Sequence, residues 1–374
     1  MKFTGKKILL ISPEPWGQNF VSKHHYAVAL AYQGNSVFFL NPPSSSYELQ
    51  ATQYENLYVV DYPRFLKGLR YLPEAIIKKI IRQKYEKLQQ LTGCIFDIVW
   101  SFDNSVFYDF SALPEPVLKI SHIVDLNQDF QTDKAARTVD ICFCTTDFIM
   151  NKLLRFNANT FKIHHGTAFQ NSYPKNNVSL PGNNKIKALY VGNLALKYID
   201  WSLIELIIDK HPNVDFIFIG PKGKSNLSKS DLDWDNLTVE SYPNVFFTGS
   251  VPHNEVSHYL QKSDVLLLAY KADAYLKQLA NPHKLMEYFA SGKIIVSTYT
   301  DEYKDKGHLL AMCSRNEDYP DLFEEVISKI DHYNNELLQK ERIEFAYENT
   351  YEKQLKRIES HIKDVISQQK ISGK

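Results

Sequence analysis

The sequence predicts an α/β chain built as two parallel-sheet halves, and three observations carry that expectation. Short apolar runs alternate with helical stretches from end to end, the pattern of strands joined by crossover helices. A length of 374 residues suits two domains of ordinary size. The polar stretch 170–184 holds Asn171, Pro174, Asn176, Asn177, Pro181 and Gly182, and reads as the connection between the halves.

The elements follow in order. In the first half the apolar runs 7–11, 36–40, 57–61, 97–101, 117–121, 140–144 and 161–164 read as strands. Helical spacing falls at 20–33, 74–91, 131–137 and 147–155. The second half has strands at 186–192, 214–219, 244–248, 264–270, 293–298 and 309–313. Its helices fall at 200–210, 253–262, 283–291 and 319–345, with a charged helical tail beyond. Each half is Rossmann-like, and such sheets take ligands at the carboxyl ends of their strands.

Composition excludes several classes. With 44% hydrophobic and 23% charged residues the chain is not disordered, and equal counts of 43 basic and 43 acidic residues disfavour a dedicated nucleic-acid binder. No run approaches the roughly 20 apolar residues of a membrane-spanning helix. Ile8–Ile11 is too short for a signal peptide, so it reads as the buried first strand of a cytoplasmic protein. Cys94, Cys142, Cys144 and Cys313 make neither a disulfide framework nor a metal site. The segment after Gly220 lacks the first glycine of a phosphate loop, and Asp231, Asp233 and Asp235 lack the glycine and glutamate of a calcium loop.

The most informative segment runs from Asn281 to Ser297. Asn281 reads as an N-cap and Pro282 as the first helical residue, which makes the helix start an anion site. Lys284 puts a cation where the helix dipole disfavours one, which suggests an anionic ligand. Glu287 follows on nearly the same face as His283 and Lys284, placed to accept hydrogen bonds from ribose hydroxyls. Gly292 ends the helix.

This segment resembles the nucleotide-sugar signature of GT-B glycosyltransferases, especially the bacterial family-four type of cell-surface polysaccharide assembly. The match holds at nearly every position from Pro282 to Val296. The resemblance implies two Rossmann-like domains facing a cleft. Residues 1–172 would bind the acceptor, 173–184 would link, 185–345 would bind the nucleotide sugar, and 346–374 would return as a helix to the N-terminal domain. It implies that Glu287 holds the ribose and that Lys284 and the adjoining amides hold the diphosphate. Gly192, Asn193 and Lys197 resemble the family's Gly-Arg…Lys loop, with Asn193 where arginine is usual. Gly220 closes the next strand, and Gly249 and Ser250 become base-site candidates. Eight residues before Glu287, where retaining members carry a first glutamate, stands Leu279; Asp273 is the nearest substitute.

The acceptor half carries weaker signals. Gly17 lies in the loop after the first strand, where the family brings a glycine to its site; Gln18 and Asn19 stand equally well as caps of the following helix. Relatives bring an acidic or imidazole group to the reacting sugar from the region of Asp125 and His122. His24 and His25 sit on the first helix, and His165-Gly166 reads as a turn. Residues 63–91 hold eight basic and two acidic side chains, with an apolar stripe at Ile76, Ile77, Ile80, Ile81, Tyr85 and Leu88. That pattern fits either docking on an anionic membrane or a helix packed on its sheet. The opening neutrality is two opposed halves, +4 over 1–178 and −4 over 179–374.

The reading is a metal-independent glycosyltransferase without cofactor. A nucleoside-diphosphate sugar, with UDP favoured, is its donor. A glycan or lipid-linked acceptor is its second substrate, met at the inner membrane face. Two alternatives stand beside it: a nucleotide-sugar epimerase of the same architecture, and a silent partner subunit suggested by Leu279 and Asn193.

Overall fold

The computed structural model describes residues 3–17, 20–125, 130–168, 178–222 and 238–371. The Gln18 and Asn19 caps and the Asp231–Asp235 acidic loop fall outside them. The chain divides into two compact units, residues 1–165 with 351–374, and residues 166–350.

Unit 1 is an eight-stranded sheet with helices against it. Its elements are β1 (Lys7–Ile11), α1 (Ser22–Tyr32), β2 (Ser36–Leu40), β3 (Glu48–Ala51), β4 (Leu57–Asp61), α2 (Glu74–Thr92), β5 (Ile98–Ser101), β6 (Leu118–Ile123), α3 (Thr132–Thr138), β7 (Ile141–Cys144), α4 (Asp147–Leu153) and β8 (Thr160–Lys162). The order is β3-β4-β2-β1-β5-β6-β7-β8. All pairs are parallel except β3 with β4. β3 is the strand that apolar patterning missed. All four of its residues are exposed, so it has no buried face to declare itself. The central strands are buried on both faces, as continuous runs such as Ile8-Leu9-Leu10-Ile11 require.

Unit 2 holds β9 (Ile186–Val191), α5 (Trp201–Lys210), β10 (Val214–Ile219), β11 (Val245–Gly249), α6 (His253–Lys262), β12 (Val265–Leu268), α7 (Ala272–Tyr275), α8 (Lys284–Ala290), β13 (Ile294–Ser297), β14 (Ala311–Met312), α9 (Tyr319–Ser328), α10 (Ile330–Tyr333) and α11 (Glu336–Tyr347). Its six strands run β11-β10-β9-β12-β13-β14, and every pair is parallel. The chain winds outward from β9 on one side and from β12 on the other. The reversal of order between them is the switch point of a doubly wound sheet.

Two expectations change here. The single helix expected over 319–345 is three helices. Asn335 breaks the run by capping α11, its side-chain oxygen accepting from the Leu338 N–H at 3.0 Å. Asn281 does not cap α8, which begins at Lys284. The Asn281 side-chain oxygen accepts instead from the Tyr303 hydroxyl at 3.1 Å.

A last helix, α12 (Tyr351–Ile371), belongs to unit 1. Leu355, Ile358, Ile362 and Val365 are buried on it. Tyr351 stacks on His25 at 4.8 Å, His361 stacks on Phe161 at 4.2 Å, and Glu359 accepts from the Phe3 N–H at 2.7 Å.

In unit 2 the end of α8 is held by Arg342, only 1% exposed. Its guanidinium donates to the carbonyls of Leu309 (2.8 Å), Gly292 (3.0 Å) and Tyr333 (2.7 Å). Burial lowers its pKa to about 10, which leaves it charged at neutral pH. Arg342→Met would strand three carbonyls, so we expect unit 2 to lose about 3 kcal/mol, read as a lower urea midpoint by circular dichroism.

Candidate functional site

Three glycines end three neighbouring strands of unit 2. Gly249, Gly220 and Gly192 close β11, β10 and β9, all with positive φ, at 74°, 145° and 148°. The Gly220 N–H donates to the Gly249 carbonyl and the Gly192 N–H to the Ile219 carbonyl, both at 2.9 Å. A side chain on Gly220 would strike the carbonyl of Gly192. Any Cβ on Gly192 would lie 2.5 Å from the ammonium of Lys284. Gly192 and Gly220 need glycine for both conformation and space, Gly249 for conformation alone.

Lys284 is therefore closed in beside Gly192. It is 7% exposed, and its ammonium donates to the Tyr190 hydroxyl at 2.7 Å. It lies 3.9 Å from the centre of the Tyr190 ring and 5.4 Å from that of Tyr270. The two phenol oxygens are 3.4 Å apart. Burial raises the Tyr190 pKa well above its ordinary value, so the phenol stays neutral and presents a dipole to the cation. Tyr190 comes from β9 and Tyr270 from just beyond β12, so the lysine is seated at the switch point.

The other expected residues of unit 2 gather around this edge. Glu287 is half-buried on α8, and His283 is exposed before its first turn. Tyr288, next to Glu287, accepts the Val191 N–H at 2.9 Å and fastens α8 to β9. Asn193 accepts the Ala195 N–H at 2.9 Å, a local turn that stiffens the loop after β9. Lys197 is exposed, its ammonium 5.3 Å from the ring centres of both Tyr198 and Tyr275. Gly249 and Ser250 are exposed, and Asn281 is buried. Leu279 packs in the core of unit 2, and Asp273 is exposed on α7.

In unit 1 the expected residues divide. Gly17 is exposed, and a Cβ there would meet nothing within 4 Å, so that site does not demand glycine. Asp125 is exposed just after β6. His122 lies inside the core, stacked on Phe102 at 4.8 Å and on Trp100 at 6.0 Å. Burial, helped by the charge of Lys23, pushes its pKa down to about 3. The expected role for His122 at a reacting sugar does not fit that placement. His24 is likewise a core residue, its Nε2 3.0 Å from the Pro15 carbonyl, and burial lowers its pKa to about 4. His165 Nδ1 lies 2.9 Å from Ser22 Oγ. The apolar stripe of α2 is mostly spent on packing, with Ile77, Ile81, Tyr85 and Leu88 buried.

The tyrosines around Lys284 escaped the sequence reading, although two signals were present. Tyr190 and Tyr270 interrupt otherwise aliphatic strand runs near their carboxyl ends, and Tyr288 stands four residues after Lys284. Among the described residues no three His, Cys, Asp or Glu side chains converge as a metal site, and no helix is long and apolar enough to cross a membrane.

Residues 185–331 match the family model of glycosyl transferases group 1. A Bacillus subtilis (strain 168) protein assigned to teichuronic acid biosynthesis as the glycosyltransferase TuaH is 25% identical over 198 residues. That match takes in 47% of this chain and 48% of the relative, so the chain spans about half the length of this curated relative. Among solved structures, sucrose-phosphate synthase from Thermosynechococcus elongatus is similar with a TM-score of 0.70 at 12% identity, over 97% of this chain and 99% of that one. A trehalose-6-phosphate protein from E. coli, bound with UDP-2-fluoro glucose, gives 0.64 at 11% identity, over 96% and 98%. The catalytic domain of starch synthase IV from Arabidopsis thaliana, bound to ADP and acarbose, gives 0.64 at 11% identity, over 97% and 100%. These likenesses show the fold, the two-domain α/β GT-B type.

The glycine geometry has a direct test. Gly220→Ala would force the Gly192 loop to move and should cost about 2 kcal/mol or more, whereas Gly17→Ala should stay within about 0.5 kcal/mol of the parent. Urea denaturation of the two variants side by side measures the contrast.

Proposed function

We propose, on the premise that residues 185–331 belong to the glycosyl transferases group 1 family, that the chain is a glycosyltransferase using a nucleoside-diphosphate sugar. UDP is the favoured nucleotide. A glycan or lipid-linked molecule of cell-surface polysaccharide synthesis is the acceptor, in keeping with the relative assigned to teichuronic acid biosynthesis. The observation that carries the reading is the ammonium of Lys284, held at the switch point beside a glycine that leaves room for it.

In this reading the diphosphate settles against the Gly192 loop, and Lys284 and Lys197 supply its counter-charge. Transfer breaks the bond between the sugar's C1 and the diphosphate oxygen, so negative charge grows on the leaving group. Fixed cations and backbone N–H groups stabilise that growth without a metal ion or other cofactor. Glu287 receives the ribose hydroxyls, and Gly249 and Ser250 line the base. On the acceptor side the reading assigns Asp125 to the incoming hydroxyl, whose proton must leave as the new bond to C1 forms. The group 1 match favours transfer over epimerisation.

Glu287→Ala should weaken UDP binding by about 10-fold or more, roughly 1.4 kcal/mol, by titration calorimetry. Unchanged affinity would remove Glu287 from the site.

A specific observation favours membrane contact as well. Leu66, Tyr71 and Ile76 are 66%, 77% and 45% exposed, among the exposed Arg64, Lys67, Arg70 and Lys79. The Arg70 guanidinium lies 4.9 Å over the Tyr71 ring. Apolar side chains flanked by cations suit an anionic bilayer surface. Binding to vesicles rich in phosphatidylglycerol should weaken with salt, and should fall at least tenfold in a Leu66→Ser, Tyr71→Ser, Ile76→Ser variant; salt-independent or absent binding overturns this contact.

A further inference from the structure

Unit 1 carries a cleft of about 690 Å³ in its helix layer, between the start of α2, α3 and α4. Glu74 of α2 lines it, with Asp133, Lys134 and Arg137 of α3 and Lys152 of α4. None of them belongs to the nucleotide site of unit 2.

Three cations in and beside the cleft are answered by carboxylates. Lys78 pairs with Glu74 at 2.8 Å, Lys134 with the buried Asp109 at 3.1 Å, and Lys152 with Asp133 at 3.8 Å. Arg137 differs, for it has no carboxylate partner among the described residues. Its guanidinium lies 4.4 Å over the Phe156 ring. That stacking fixes the plane of the fork and leaves its N–H edge for another partner.

The charges select the ligand. One unanswered guanidinium in the wall of a cleft suits a group with a single negative charge and two equivalent oxygens. A phosphodiester has both. A phosphomonoester carries roughly −1.5 to −2 at neutral pH, and its excess charge would face Glu74 and Asp133.

The surroundings select the source. Phe130 lines the cleft and is 57% exposed. Ile76, one of the exposed apolar residues of the basic stretch, follows Glu74 by two positions in the first turn of α2. Burial and the charge of Asp109 raise the Tyr108 pKa, and Arg70 of the same stretch opposes them. The Tyr108 ring in turn lies 5.9 Å from the Lys134 ammonium. The cleft thus continues the apolar and cationic surface proposed to meet the membrane. A free phosphate gains nothing from exposed Phe130 and Ile76, whereas a lipid headgroup brings an apolar phase to them.

We propose that the α3 cleft holds the phosphodiester of an anionic bilayer lipid of the phosphatidylglycerol type, its two unesterified oxygens on the Arg137 fork and its glycerol hydroxyls at the Gln131 carboxamide. The proposal rests on the membrane-contact reading and adds a headgroup site to it. The patch supplies adhesion, and the cleft selects the lipid.

Vesicle flotation of the full chain tests it. Arg137→Gln should weaken binding to phosphatidylglycerol vesicles at least fivefold. Lys340→Gln removes an exposed charge from α11 of unit 2 and should stay within twofold of the parent. Arg137→Lys keeps the charge but loses the fork, and should remain at least threefold weak. Arg137 is exposed, so an unchanged melting temperature is expected for both of its variants. A soluble probe checks the source. Monomeric dihexanoyl phosphatidylglycerol should broaden in phosphorus NMR with the parent and with the Leu66→Ser, Tyr71→Ser, Ile76→Ser variant, but not with Arg137→Gln. Inorganic phosphate should displace it at least tenfold less well than more of the same lipid.

The proposal is overturned if Arg137→Gln binds vesicles like the parent, or if Lys340→Gln weakens binding as much. Equal displacement by inorganic phosphate would make the cleft a site for soluble phosphate and overturn it too. If the patch variant keeps vesicle binding and Arg137→Gln loses it, the patch reading fails and the cleft stands. Should the parent bind no vesicle, the patch reading fails and the monomeric probe decides the cleft, absence of broadening ending the proposal.

Discussion

A buried ammonium must be answered by an oxygen, and in unit 2 that oxygen belongs to Tyr190. The Lys284–Tyr190 contact draws much of the neighbouring architecture into line. It requires α8 to lie against β9, which the Tyr288 bond to Val191 secures. It requires an empty space over Gly192, whose own carbonyl leaves no room for a side chain on Gly220. Desolvation makes the arrangement costly unless the pairing is kept. An anion arriving at this edge would relieve that cost while competing for the same ammonium.

Unit 1 solves a different problem with the same sheet plan. Its switch point is flanked by aromatic residues, with His122, Phe102 and Trp100 in one stack. Histidine there serves as a flat, neutral ring, because desolvation opposes its protonation. Polar groups enter among the described residues through the turns at Ser12 and Ser101. The two units thus differ in their switch points, an aromatic-caged cation in one and an aromatic stack with serine turns in the other.

Much of the fold was legible because a parallel sheet buried on both faces writes itself as continuous apolar runs, as in Val265–Leu268 and Ile294–Ser297. What was missed had no such signature. β3 is wholly exposed, and of the two breaks in 319–345 one falls at Lys329 and the other turns on Asn335, whose capping is a matter of geometry. At the site, the spacing from Lys284 to Gly292 was readable, and its resemblance was borne out by the family match over 185–331. The burial of Lys284 was not, because its partners are distant in sequence, Tyr190 by 94 positions. The Ser-x-acid repeat at 12–14 and 101–103 was in plain view, but only strand pairing makes it a pair.

The discontinuity of unit 1 bears on how the chain is made. Its sheet is complete by Lys162, yet α12 arrives only from Tyr351 onward. On a ribosome the whole of unit 2 emerges before the helix that covers Phe161 and caps Phe3 is available. Unit 2 is thus free to mature as an uninterrupted domain, while unit 1 waits with an apolar face uncovered. A chain halted near residue 350 would carry the whole of unit 2 beside a unit 1 that still lacks α12.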